Sequence, residues 1–237
     1  MLAHVLSAAL VGVEAALVRV EVDVTPGLPN FITVGLPDSA VRESRERVRT
    51  AIRNAGFAFP NDRITVNLAP ADLRKEGASF DLPIALGILI ATGCVRGNGL
   101  GDFAVVGELA LDGQIQAVRG ALAVSLACRR RAIATLLVPR DNGAEATAVD
   151  GVRVLSAATL REAIGLLNGE VPCAEPSQAT SLPADAGEEL DFRDVRGQAH
   201  AKRALEIAAA GAHNVLLSWS IPRPVGSRAA AARGRGR

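Results

Sequence analysis

The sequence predicts an α/β domain, and three stretches carry that prediction. Residues 17–24, Leu-Val-Arg-Val-Glu-Val-Asp-Val, alternate with a clean period of two, as a strand with one buried and one wet face does. Residues 82–95 contain no charge at all, so this segment cannot be amphipathic and reads as a central helix covered on most sides. Between residues 103 and 167, strand-like runs alternate with segments of helical length.

Taken in order, Gly12 marks a turn between two strands within residues 2–24, residues 25–30 are turn chemistry, and residues 31–34 read as a returning strand. Asp38 or Ser39 caps a helix running to about Ala55, with Gly56 at its stop position. Val41, Val48, Ile52 and Ala55 form its inward face. Arg42, Arg45, Arg49 and Arg53 recur at three- and four-residue intervals and form one outward basic stripe, a candidate contact for nucleic acid or another subunit. Glu43 and Glu46 are placed to pair with Arg47 and Arg49, which favours a solvated or subunit-facing helix.

Residues 63–68 form the next strand and 69–77 a loop, in which Lys75 sits in an exposed-looking Arg-Lys-Glu turn. Ser79 or Asp81 is placed to cap the central helix, and Pro83 falls in its first turn, where the missing N–H is harmless. Residues 103–111 and 114–117 read as a hairpin closed by a tight two-residue turn at Asp112-Gly113. A helix at about 120–131, a strand at 135–138, a short helix near 144–149, a strand at 152–155 and a helix at 159–167 complete a domain of residues 1–168. Residues 169–190 are rich in proline and serine and read as a linker. Residues 191–217, with a helix at 199–210 and a strand at 213–217, look like the opening of a second α/β domain, and 218–237 form a basic tail.

About half the residues are apolar (49%), enough for a real core. The net charge is +1, but residues 218–237 hold five arginines and no acid, so the body is slightly acidic and bulk charge gives no argument for nucleic acid. Lysine occurs only at Lys75 and Lys202. Cys94, Cys128 and Cys173 lie far apart, histidine occurs only at His4, His200 and His213, and no metal site is expected. The longest uncharged run is shorter than the roughly 20 residues a membrane helix needs, and the N-terminus lacks the pattern of a signal peptide. A cytoplasmic protein with no membrane partner is the expectation.

Four runs, at residues 27–38, 63–77, 80–87 and 191–198, resemble the bacterial Mg-chelatase-like AAA+ ATPases, the ComM or YifB family. The resemblance implies a Lon-protease-like, ribosomal protein S5 domain 2-like fold for residues 1–168, followed by a truncated start of an AAA+ domain in 191–217. It further implies ATP and Mg²⁺ as the family's cofactors, self-association into a ring, and a part in DNA branch migration and recombination during natural transformation. The family's P-loop would follow Leu217, where this chain reads Ser-Trp-Ser-Ile-Pro-Arg. No Gly-Lys dipeptide occurs anywhere, so no cofactor site and no ATP hydrolysis are expected of this chain. The abrupt change of composition after Leu217 reads as a shifted frame, with a nucleic-acid-binding or disordered basic tail as the competing view.

Residues 75–79 resemble the Lon segment that carries its nucleophilic serine, which would be Ser79; the position of the partner lysine falls on Val124. A Ser-Lys dyad needs a lysine held neutral by burial within reach of the hydroxyl. Ser79 and Lys75 are therefore vestigial catalytic candidates. The expected function is an assembly or DNA-associated module of an ATP-driven DNA branch-migration or recombination factor. The alternatives are a Lon-like serine peptidase and a subunit of a magnesium-chelatase-type complex.

Overall fold

The computed structural model describes residues 1–95, 103–171, 195, 197–211, 213 and 215. The chain divides into two compact units, Met1–Leu182 and Pro183–Arg237. Unit 1 is built on a seven-stranded sheet. Strands β1 (Leu2–Val11), β2 (Glu14–Thr25), β3 (Asn30–Val34), β4 (Arg63–Ala69), β5 (Phe103–Val105), β8 (Thr135–Pro139) and β9 (Arg153–Ala157) lie in the order β3-β4-β2-β1-β5-β8-β9. The pairs β1–β2 and β2–β4 are antiparallel, and the other four are parallel.

Strand alternation divides the core in two. Val18, Val20 and Val22 of β2 face one side with Val5 of β1, where they meet α1 (Ser39–Asn54), α2 (Asp81–Ala91) and α5 (Leu160–Asn168). Ala8 of β1 faces the other side with Leu136 and Val138 of β8, and packs on α3 (Ala121–Arg130) and α4 (Gly143–Ala146). The helix α2 is the centre of the first layer. All of Asp81–Leu89 is buried, as a helix that is apolar all round requires. Gly87 lets α2 approach β2 closely, since a Cβ there would lie 2.5 Å from Val22 Cγ2.

The local chemistry of helix ends follows the sequence at two sites. Asp38 accepts from the N–H of Val41 at 2.8 Å and starts α1. At α5, the N-cap Thr159 accepts from the Glu162 N–H at 3.2 Å, while Glu162 reaches back past the cap to accept from the N–H of Ala158 at 2.9 Å.

Four expectations are corrected. Strand β3 does not return against β2; β4 enters between them and pairs with β3 in parallel. The long hairpin arm is cut at Val106-Gly107. Phe103–Val105 joins the main sheet, and only β6 (Glu108–Leu109) pairs with β7 (Ile115–Gln116). Gly107 is drawn aside because its N–H donates to Ser79 O and its carbonyl accepts from Leu82 N, both at 3.0 Å. The tight turn holds three residues, since Ala110 N–H bonds Gln114 O at 2.9 Å, with Gly113 at φ 86°. Neither Ser79 nor Asp81 caps α2 through its side chain, because a 3₁₀ turn at Ala78–Phe80 runs straight into the helix.

In unit 2 the described element is α6 (Ala199–Gly211). His213 and Val215 of the expected strand at 213–217 carry no regular structure, and the rest of that strand lies outside the described residues, as do the linker from residue 172 and the tail. Among the described residues, no helix is long and apolar enough to cross a membrane.

Candidate functional site

Ser79 stands at the edge of an open cleft of about 580 Å³, which is also lined by Asp38, Glu76, Glu108, Arg119 and Val124. The 3₁₀ turn that carries Ser79 is fixed by its carbonyl's bond to Gly107 and, one step earlier, by Asp38, whose second carboxylate oxygen accepts from Gly77 N at 3.1 Å. Val124, 3% exposed, reaches this cleft from α3. Ser79 and the position assigned to the dyad lysine thus line one cleft despite long sequence separation, but the residue there is an aliphatic one. Among the described residues no lysine or histidine lines the cleft, so there the Ser79 hydroxyl has carboxylates and one arginine for company and no neutral amine to take its proton.

Lys75 is not the solvated residue its neighbours suggested. Its side chain is wholly buried, and its ammonium donates to the carbonyl of Pro70. Its backbone is held as well, the N–H by Leu36 O at 3.3 Å and the carbonyl by Asp38 N–H at 3.0 Å. Burial pushes its pKa below that of an ordinary lysine, with Asp72 pulling the other way. The direction is the one a dyad lysine needs, but the amine is committed to the Pro70 carbonyl.

The strongest polar contact near the site was missed by sequence reasoning. Arg47 grips Asp81 with two bonds, Nε to Oδ2 at 2.7 Å and Nη2 to Oδ1 at 3.1 Å, and also donates to Ala40 O at 3.0 Å. Leu109 N–H adds a longer bond of 3.4 Å to the same carboxylate. The pair ties α1, α2 and the β6–β7 hairpin together. Burial pushes the Asp81 carboxyl up to about 6, against the opposing pull of Arg47. The expected pairing of Arg47 with Glu43 or Glu46 is therefore wrong. The available signal was helical spacing, because Arg47 lies three residues after Ser44 and four before Ala51, both fully buried, and so borders the inner face.

The basic stripe is interrupted. Arg42, Arg45 and Arg53 are exposed, but Arg45 pairs with Glu46 at 3.4 Å, and Arg49 is half-buried with its guanidinium 5.9 Å from the Phe59 ring centroid. Arg49 thus pairs with neither Glu43 nor Glu46. Only Arg42 and Arg53 of the four lack a side-chain partner among the described residues. Among the described residues, no cluster of His, Cys, Asp and Glu is arranged to hold a metal ion.

With this geometry in hand, comparison with known proteins gives a consistent picture. Residues 20–142 match the family model described as subunit ChlI of Mg-chelatase, and residues 191–226 match that described as magnesium chelatase, subunit ChlI. The chain is 46% identical over 219 residues to Competence protein ComM of Haemophilus influenzae, covering 91% of this chain and 43% of that one. It is 41% identical over 212 residues to Uncharacterized protein YifB of Escherichia coli K12, covering 88% and 41% respectively. A fainter similarity, 27% over 129 residues, relates 52% of this chain to 16% of Lon protease 1 of Myxococcus xanthus. The chain spans less than half the length of the ComM and YifB proteins it matches.

Proposed function

We propose, from the premise that this chain belongs to the Mg-chelatase subunit ChlI family, that it is an assembly or DNA-associated module of an ATP-driven DNA branch-migration or recombination factor of the ComM type. The observation that carries the reading is the 46% identity with a competence protein over 219 residues. The proposed setting is the cytoplasm, and the proposed partners are further copies of the chain, in a ring, and DNA. Nucleotide chemistry is assigned elsewhere in that assembly, since the sequence holds no Gly-Lys dipeptide and neither of its lysines follows a glycine.

The test is sedimentation of the purified chain together with its binding to linear and four-way branched DNA through a salt series. Self-association, or DNA affinity that falls linearly with log salt, supports the module. A monomer that binds neither DNA at low salt removes it. ATP hydrolysis by the pure chain would show a nucleotide site where none is assigned.

A second reading, a Lon-like serine peptidase, is favoured by the similarity to Lon protease 1 and by the position of Ser79 in an open cleft. It lacks a base to activate the serine. Labelling by a fluorophosphonate, abolished in Ser79→Ala, would establish it over the module.

A further inference from the structure

A larger cleft, of about 790 Å³, opens between the face of the sheet that carries α3 and the C-terminal end of that helix. Leu6, Leu17 and Leu73 line it with apolar surface, Arg19, Arg130 and Arg131 line it with charge, and Asp72 is the one carboxylate among its lining residues. The wall at Pro70 also receives the buried ammonium of Lys75.

Arg19 decides how this cleft is read. The neighbouring carboxylates on its face of the sheet, Glu21 and Asp23, are engaged elsewhere, and Arg63 at the far end of β4 is likewise without a side-chain partner among the described residues. Asn67 donates to Glu21 at 2.8 Å, His4 lies 3.9 Å from Glu21, and the N-terminal amine lies 3.7 Å from Asp23. Arg19 has Leu6 and Ala69 as its cross-strand neighbours, and no carboxylate among the described residues pairs with it. The helix dipole accounts for basic residues at the end of α3 but not for an arginine across the cleft on β2. Glu14 holds Arg130 at 3.3 Å, whereas Arg131, like Arg19, is without a side-chain partner among the described residues.

We infer that this cleft binds a phosphate-bearing ligand, with phosphoryl oxygens on Arg19 and Arg131 and the ligand's apolar part over Leu6 and Leu17. Guanidinium groups suit this role because their planar fork matches phosphate oxygens two at a time. Among the described residues no aromatic side chain lines the cleft, so nucleobases find no stacking platform there and the phosphate is the group recognised. The α1 stripe is the poorer candidate, with two of its four arginines already engaged. The phosphates belong either to a nucleic-acid strand or to a free phosphorylated ligand. The first case rests on the DNA reading above, and the second stands without it.

The experiment titrates the full chain with two probes, a short fluorescein-labelled single-stranded oligonucleotide followed by anisotropy and inorganic pyrophosphate followed by calorimetry. Wild type is expected to bind at least one. The exposed pair Arg19→Ala/Arg131→Ala, with its fold verified by circular dichroism, is expected to lose about tenfold or more in affinity for that probe, as charged hydrogen bonds require. For the oligonucleotide, its slope of log affinity against log salt becomes shallower by about 1.4, at about 0.7 per phosphate contact. The pair Arg42→Ala/Arg53→Ala on α1 stays within about twofold of wild type, as removal of uninvolved surface charge should. Oligonucleotide binding that survives loss of Arg19 and Arg131 keeps the DNA reading and overturns the cleft. Pyrophosphate binding without oligonucleotide binding keeps the cleft and removes the DNA reading. Wild type that binds neither probe overturns both.

Discussion

Asp81 and Lys75 are both ionisable, both fully buried and separated by one short turn, yet they are held in opposite ways. Asp81 faces a guanidinium in bidentate contact and a backbone N–H. Lys75 donates to a single carbonyl, with Asp72 acting on it only as a charge. The difference teaches which buried charge the fold depends on. A charge that pairs with a buried one cannot be removed alone without stranding its buried partner, whereas a carbonyl is neutral and loses one bond.

The sharpest way to break this comparison is Arg47→Ala, which leaves Asp81 buried and unpaired. The expected loss in urea unfolding is about 3–5 kcal/mol. The double variant Arg47→Met/Asp81→Leu is expected to recover most of that loss, and failure to recover it would mean that packing around Arg47, not charge, carries the effect.

Proton linkage gives the next largest effect. The folded carboxyl of Asp81, at about 6, lies above its ordinary value of 3.8, so the folded state binds the extra proton between those values. Its contribution to stability is absent above pH 6, grows as the pH falls through 6 toward 4, and reaches at most about 3 kcal/mol. The unfolding midpoint of wild type should gain on that of Asp81→Asn over this window; parallel curves would remove the linkage. Lys75 works in the alkaline range with the same algebra. Its folded pKa is lowered, so stability rises from that lowered value up to its ordinary 10.5, and Lys75→Met abolishes the rise. At neutral pH, Lys75→Met should stay within about 1 kcal/mol of wild type, since the charge and its one bond leave together.

The smallest expected effect sharpens the comparison from the other side. Val124→Lys places an amine in the Ser79 cleft, which Lys75 does not enter. Weak fluorophosphonate labelling that disappears in Val124→Lys/Ser79→Ala would show that the cleft retains the geometry of a dyad. An unlabelled but folded Val124→Lys would show that it does not.

What the sequence made legible was whatever depends on near neighbours. The period of β2, the Asp38 cap, the uncharged run of α2 and the helix near 159–167 are local patterns, and each appears at or within a few residues of its expected place. The Mg-chelatase-like family likewise rested on contiguous motifs. The misses were about partners remote in the chain. Lys75 looked solvated because its flanking residues are charged, but Pro70 and Leu36 were folded over it. Arg47 was matched with acids on its own helix, while its partner sat on α2. Arg19 gave no signal at all, because an arginine in an alternating strand is ordinary until its cross-strand neighbours prove to be Leu6 and Ala69.

The strand order also sets a timetable for folding. Strand β3 has no neighbour until β4 has been synthesised, and β1 is left with an open edge until Ala104 arrives to pair with Leu6. A nascent chain that ends anywhere short of β5 therefore exposes an unpaired strand edge alongside the apolar surface of α2. Such long-range pairings slow folding relative to local ones, and until they form, the exposed edge and apolar surface favour aggregation, which grows with chain concentration while the ordering of the sheet itself does not.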